Sequence, residues 1–113
     1  MEIIKKTTDS KVDIVRAVNT TKSLQNFTDA KLTLHGVIIF KEDESENIVT
    51  SLKVTDETGE TFFINSISET VRKSAEAFID AFEATDFEEG LPFKIVENTS
   101  KGGRTLYSLD LDY

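Results

Sequence analysis

Cysteine is absent from this chain of 113 residues, which excludes disulfide cross-links and thiolate metal sites. A single histidine, His35, leaves no second imidazole for a metal site and makes a histidine-dependent triad a poor reading. No run of about eighteen apolar residues and no signal-peptide pattern occurs, so a cytoplasmic protein without membrane contact is expected. The phosphate loops GxxxxGK[ST] and GxGxxG are missing, as are HExxH and GxSxG. Acid pairs such as Asp43/Glu44 and Glu88/Glu89 have no His, Cys or Lys partner at motif spacing. Gly102-Gly103 reads as a hairpin turn rather than a phosphate cradle, and His35 as a structural residue of a strand. The expectation is a non-enzymatic protein with no cofactor, no metal and no catalytic residues.

Positive charge is also in short supply. Thirteen basic against twenty-one acidic side chains give a net charge of −8, which by itself argues against a binder of phosphates. The distribution is uneven. Residues 1–31 hold six basic and four acidic side chains, and the remainder seven basic and seventeen acidic. Acids gather at Glu42–Glu46, at Glu83–Glu89 and near the end, the pattern of solvated loops. A polarised acidic protein can still present a less acidic side to an anion.

What the chain does have is one long helical period amid strand patterns. Ile67, Val71, Ala75, Phe78, Ile79 and Phe82 fall on one stripe at about 3.6 residues per turn, predicting a helix over Ser66–Phe82. Ser66 and Glu69 have capping-box spacing, and Glu69 with Lys73 forms an i,i+4 pair. Before the helix, residues 1–11 read as a mobile, weakly basic arm and Val12–Val18 as a β-branched strand. Ser23–Thr28 reads as one helical turn that buries Leu24 and Phe27. Strands are predicted at Lys31–Lys41, Asn47–Asp56 and Thr61–Asn65. In the first of these Leu32, Leu34, Ile38 and Phe40 share a face, and Gly36 marks a bulge. In the second, Ile48, Leu52 and Val54 point inward, and Val49, Ser51 and Lys53 outward. After the helix and an acidic connection, Leu91–Asn98 and Thr105–Asp112 form a hairpin. Three strands, a helix and two strands is the order of an OB-fold, a five-stranded Greek-key barrel. The whole of 1–113 is therefore expected to be one all-β domain with one helix, the N-terminal strand packing outside the barrel.

Such a barrel holds single-stranded nucleic acid with flat rings for the bases and cations for the phosphates. The sequence offers rings at Phe40, Phe62, Phe63 and Tyr107, and cations at Arg16, Lys22, Lys53, Lys94, Lys101 and Arg104. Adjacent strand residues point to opposite faces, so at most one of Phe62 and Phe63 fills the core while the other is free to stack. Candidate nucleic-acid-binding residues are Phe40, Lys53, Phe62, Phe63, Lys101, Arg104 and Tyr107.

Three stretches carry a resemblance: Ile67-Ser68-Glu69-Thr70-Val71, then Lys94-Ile95-Val96-Glu97-Asn98-Thr99-Ser100-Lys101-Gly102, then Tyr107-Ser108-Leu109-Asp110-Leu111. Their order and spacing resemble the small single-stranded DNA-binding proteins of phi29-like phages, which replicate linear genomes by protein priming. The resemblance implies non-enzymatic coating of displaced strands with little sequence preference, and tyrosines as stacking platforms. Phe40 and Tyr107 fall at aromatic positions of that family, whereas Ile64 falls near a position where the family has tyrosine. Single-stranded DNA is the expected partner, with other copies of the chain or replication proteins beside it. The alternative is an acidic OB-like interaction module or a DNA-mimic inhibitor.

Overall fold

A computed structural model describes residues 1–112. In order they form strand β1 (Glu2–Lys6), helix α1 (Lys11–Asn19), strands β2 (Leu32–Lys41), β3 (Ile48–Thr55) and β4 (Thr61–Ser66), helices α2 (Glu69–Ala81) and α3 (Ala84–Glu89), and strands β5 (Leu91–Thr99) and β6 (Thr105–Leu111). A 3-10 turn, Leu24–Phe27, buries Leu24 and half-buries Phe27 between α1 and β2.

The strands make one sheet in the order β4-β3-β2-β5-β6, with β1 also paired to β2. Both hairpins, the helix between the third and fourth barrel strands, and the strand order agree with an OB-like fold. The barrel is not closed, however. Closure would pair β4 with β6, and among the described residues no such ladder exists. The outer edge of β4 is taken by the chain entering the 3-10 turn, where the Asn65 amide donates to the Lys22 carbonyl at 2.9 Å and Ser23 lies parallel to Asn65. Across the gap, the Thr70 hydroxyl of α2 donates to the Tyr107 carbonyl of β6 at 2.5 Å. Backbone groups that would join the two strands have found other partners, which is what buried or edge backbone must do.

Strand β2 organises both cores. Its register against β3 slips between Leu34 and Gly36, so the two-residue alternation shifts phase there. Leu32, Leu34, Val37 and Ile39 therefore line the main core with Leu52, Ile64, Phe93 and the α2 residues Val71, Ala75 and Phe78. Ile38 and Phe40 turn to the opposite face, where they meet Val49, Phe63 and Ala17 in a second, smaller core. The expected grouping of Leu32, Leu34, Ile38 and Phe40 on one face is thus corrected by the bulge. Likewise the outward face of β3 is not open: Val49 and Ser51 are buried.

The covering layer differs from the sequence reading. Val12–Val18 is helical. The Ser10 hydroxyl accepts from the Asp13 amide at 3.2 Å, and Ile14 and Ala17, three residues apart, face the second core. Capping and tertiary contact outweigh the β-branched composition that suggested a strand. Instead of a mobile arm, Glu2–Lys6 forms the added strand, running from Glu2 opposite Lys41 to Lys6 opposite Ile38. Helix α2 starts later than predicted, because Ser68 rather than Ser66 accepts from the Val71 amide. Ile67 consequently stands outside the helix and is 66% exposed. The predicted Glu69–Lys73 pair is present at 3.3 Å. The acidic connection is the short helix α3, which buries Phe87.

Two turns carry local constraints. Gly90 ends α3 at φ 101°, and a Cβ there would lie 2.4 Å from the Thr33 methyl and 2.9 Å from the His35 ring. Gly90→Ala should therefore lower the urea-derived stability by about 2 kcal/mol or more, since neither backbone nor neighbours can accept it cheaply. In the β3–β4 turn, Asp56 accepts from the Thr58 hydroxyl at 2.6 Å and from the Thr58 and Glu60 amides. The Thr58 hydroxyl foremost, helped by the backbone amides, holds its carboxyl below the usual aspartate value. A depressed folded-state pKa means the turn's stabilisation is full above the unfolded value and is lost as pH falls through the folded one. An NMR titration should find Asp56 deprotonating below the ordinary aspartate range, and Thr58→Ala should move it back up.

Candidate nucleic-acid interface

The outer face of β3 and β4 is the surface on which OB-folds bind strands of nucleic acid. Here α1 lies on it. Phe40 and Phe63 are only 2% and 5% exposed, packed with Ala17, Ile38 and Val49 and edged by Ile3 and Ile14. Lys53 projects from the same face toward α1, and its ammonium is 3.2 Å from the Asp13 carboxylate. Two further contacts hold the region: the Asn65 side-chain amide donates to the Ala17 carbonyl at 2.9 Å, and the Thr20 hydroxyl to the Phe63 carbonyl at 3.0 Å.

Phe62 sits on the other side of β4 and is half-buried at the margin of the main core. Its ring meets Phe27 at 5.4 Å between centroids, and the Lys22 ammonium stands 4.8 Å above it. A ring held from one side by another ring and capped by a solvent-exposed cation can exchange that cation for a base. A depression of about 370 Å³ at this corner brings together Arg16, Lys53, Phe62 and Phe63, and no carboxylate lines it among the described residues.

A second, larger cleft of about 770 Å³ occupies the unclosed edge of the barrel. One wall is Thr20–Gln25 with the end of β4, the other Arg104–Tyr107 at the start of β6, and the first turn of α2 forms part of the lining. Tyr107 is half-buried and Arg104 is exposed. Glu42 and Glu69 also line the cleft, and Glu69 is engaged by Lys73. Thr20 lines both depressions, and Lys22 links them, lining the cleft while its ammonium lies over Phe62. Rings and cations thus follow one continuous track from Lys53 to Arg104.

Of the residues singled out from the sequence, Lys53, Phe62 and Phe63 meet in the smaller depression, and Arg104 and Tyr107 in the cleft. Lys101 is exposed in the turn between β5 and β6. Phe40 joins neither group and is covered by β1 and the second core. Arg16 and Lys22, present among the chain's cations, enter because Arg16 lines the smaller depression and Lys22 lies over Phe62, forty positions away, which no local pattern announces. Ser68 and Thr70 at the cleft fall in the stretch that carries the family resemblance, but neither they nor Thr20 were singled out as site residues. Among the described residues no cluster of three His, Cys, Asp or Glu could hold a metal ion, and no helix is long and apolar enough to cross a membrane.

An OB-like sheet left open at one edge, with rings and cations along the opening, is the architecture of a nucleic-acid-binding module. Comparison with protein families makes this specific: the phi29-type family described as phage single-stranded DNA-binding protein matches residues 2–112. The chain belongs to that family, and the match spans β1 and α1 as well as the barrel strands. Neither the search of curated proteins nor the search of solved structures returned a match.

The two phenylalanine positions separate by stability. Phe40→Ala should destabilise the fold by about 3–5 kcal/mol in urea titration. Phe62→Ala, half-exposed in the parent, should cost only about 1–2 kcal/mol. Equal losses would contradict the packing described for these rings.

Proposed function

We propose that this protein coats displaced single strands during phage DNA replication in the host cytoplasm, without catalysis and with little sequence preference. Membership of a single-stranded DNA-binding family supports the ligand class. The observation that bears most on mechanism is the placement of Tyr107 and Arg104 on one side of the unclosed edge and Lys22 on the other. Bases stack on Tyr107 and Phe62, and Lys22, Lys53, Lys101 and Arg104 take phosphates. Stacking is indifferent to base identity because every base has a π-face, which suits a coat rather than a reader of sequence.

The acidity of the chain sets the strength of this binding. With a net charge of −8, long-range attraction to DNA is weak, and binding depends on local cations and rings at high protein concentration. The four cations contribute about 0.7 each to the log–log salt dependence of a single strand, so a slope of roughly −2 to −3 is expected in oligothymidine titrations. A DNA-mimic inhibitor would instead show no affinity for oligothymidine at any salt concentration.

Tyr107 provides the sharper test. It contributes both to the margin of the main core and to the cleft, so the substitution must preserve packing. Tyr107→Phe should bind oligothymidine like the parent, whereas Tyr107→Leu should bind about five-fold or more weakly. Parental affinity in the leucine variant, with an unchanged melting curve, would remove Tyr107 from the binding surface.

A further inference from the structure

Helix α1 has an unusual distribution of side chains for a helix packed on a sheet. Val12, Val15 and Val18, spaced three apart, are 58%, 58% and 39% exposed, while Asp13 faces inward and is 8% exposed. Asp13 is the only buried carboxylate among the described residues, and its partner is Lys53. The apolar contribution of α1 to the face it covers is one alanine and the half-buried Ile14. Beneath it, the Ser51 hydroxyl and the Asn65 side-chain oxygen are buried with no hydrogen-bond partner among the described residues. Unsatisfied buried polar groups favour a state in which they are solvated or engaged. Beside the apolar Ile38, Phe40 and Val49, the part of this face under α1 bears a cation, a serine, an asparagine and the ring of Phe63, residue types that also suit single-stranded nucleic acid.

The chain on either side of α1 is anchored independently of it. Before the helix, Thr7 exchanges two hydrogen bonds with Val37: its amide donates to the Val37 carbonyl and its hydroxyl accepts from the Val37 amide, both at 2.9 Å. After it, the Lys22 carbonyl is bonded to the Asn65 amide of β4. Thr8–Ser10 and Thr20–Thr21 are thus short connections between two fixed points and a helix whose polar ties to the sheet are Asp13 to Lys53 and the Ala17 carbonyl to the Asn65 side chain, with the Thr20 hydroxyl on the Phe63 carbonyl just beyond it.

From this geometry we propose that α1 is a displaceable cover on the β3–β4 face, with the Asp13 carboxylate occupying on Lys53 the place of a DNA phosphate. The proposal rests on the single-stranded DNA reading given above and adds its regulation. When a strand enters along the track, a phosphate replaces Asp13 on Lys53. The helix then lifts between its anchors, and the face carrying Ser51, Phe63 and Asn65 receives the strand. β1 stays in place over Phe40.

Amide hydrogen exchange on the full chain, with and without saturating oligothymidine, tests this directly. The proposal expects amides of 14–19 to lose protection on binding, while those of β2 and β3 keep or gain it. Two variants accompany the measurement. Asp13→Asn removes the competing charge, and Ala17→Leu wedges the helix off the face without altering charge. Each should bind oligothymidine about three- to ten-fold more tightly than the parent, because a site closed most of the time loses affinity in proportion to its open fraction. Unchanged or increased α1 protection in the complex would overturn the cover. So would weaker binding by Ala17→Leu in a folded sample; if that variant does not fold, exchange in the parent decides alone. Absence of any oligothymidine binding by the parent would defeat the functional reading itself, whereas binding with α1 fixed in place would defeat only the cover.

Discussion

Strand β2 carries apolar side chains on both faces, and the sheet is stable only if both are covered. The bulge before Gly36 makes this so, sending Val37 and Ile39 to one side and Ile38 and Phe40 to the other. On the first side α2 closes the main core. On the second, β1 and α1 supply the cover, one through Ile3 and the other through Ile14 and Ala17. The long edge of β2 is shared in the same way: β5 pairs with Leu32–Leu34 and β1 with Ile38–Lys41. Leaving Phe40, Val49 and Phe63 in water would forgo roughly 1.5–3 kcal/mol for each ring or branched side chain. That cost accounts for the presence of the N-terminal elements better than any propensity of their own.

The same accounting bears on whether α1 can move. Lifting it uncovers Phe63 and part of Val49, but β1 remains on Phe40, and a base stacked on a ring returns on the order of 1–3 kcal/mol. Exchange of Asp13 for a phosphate keeps Lys53 paired throughout, which avoids the penalty of an unpartnered, partly buried charge. A cover replaced group for group by its ligand needs far less binding energy than one that must simply be removed.

Much of this fold was legible from the sequence, and the illegible parts share a physical origin. Strands β2 to β6, both hairpins, the helix between them and the Glu69–Lys73 pair follow from local period and turn chemistry. The helix Lys11–Asn19 was hidden by four β-branched residues, although Ser10 and Asp13 already had the spacing of a cap. β1 was invisible because its partner edge lies more than thirty residues downstream and is free only where β5 has diverged. The phase shift in β2 was signalled by Gly36, but its consequence for Phe40 depends on which neighbour the bulge faces. In the site, residue types were readable and exposure was not. Phe62 and Phe63 do divide between two faces, yet the face that reads as open on a bare OB sheet is the one that α1 covers.

The open edge of the barrel explains how a strongly acidic chain can serve a polyanion. Closing β4 onto β6 would satisfy the backbone but would seal the cleft and separate Lys22 from Arg104. Here Lys22–Ser23 satisfies Asn65, and Thr70 satisfies Tyr107, so the edges are paired without being joined. Glu42 and Glu69 line the cleft and Glu88 a depression beside Lys53, while other acids lie in α3 (Asp86, Glu89) and in the loop after β2 (Asp43, Glu44, Glu46). On the proposed reading, repulsion from those surfaces would disfavour approaches of DNA other than along Lys53, Lys22 and Arg104. Under that proposal net negative charge would act as a filter on orientation, and affinity would come from rings and a few cations at close range, where screening by salt is least complete.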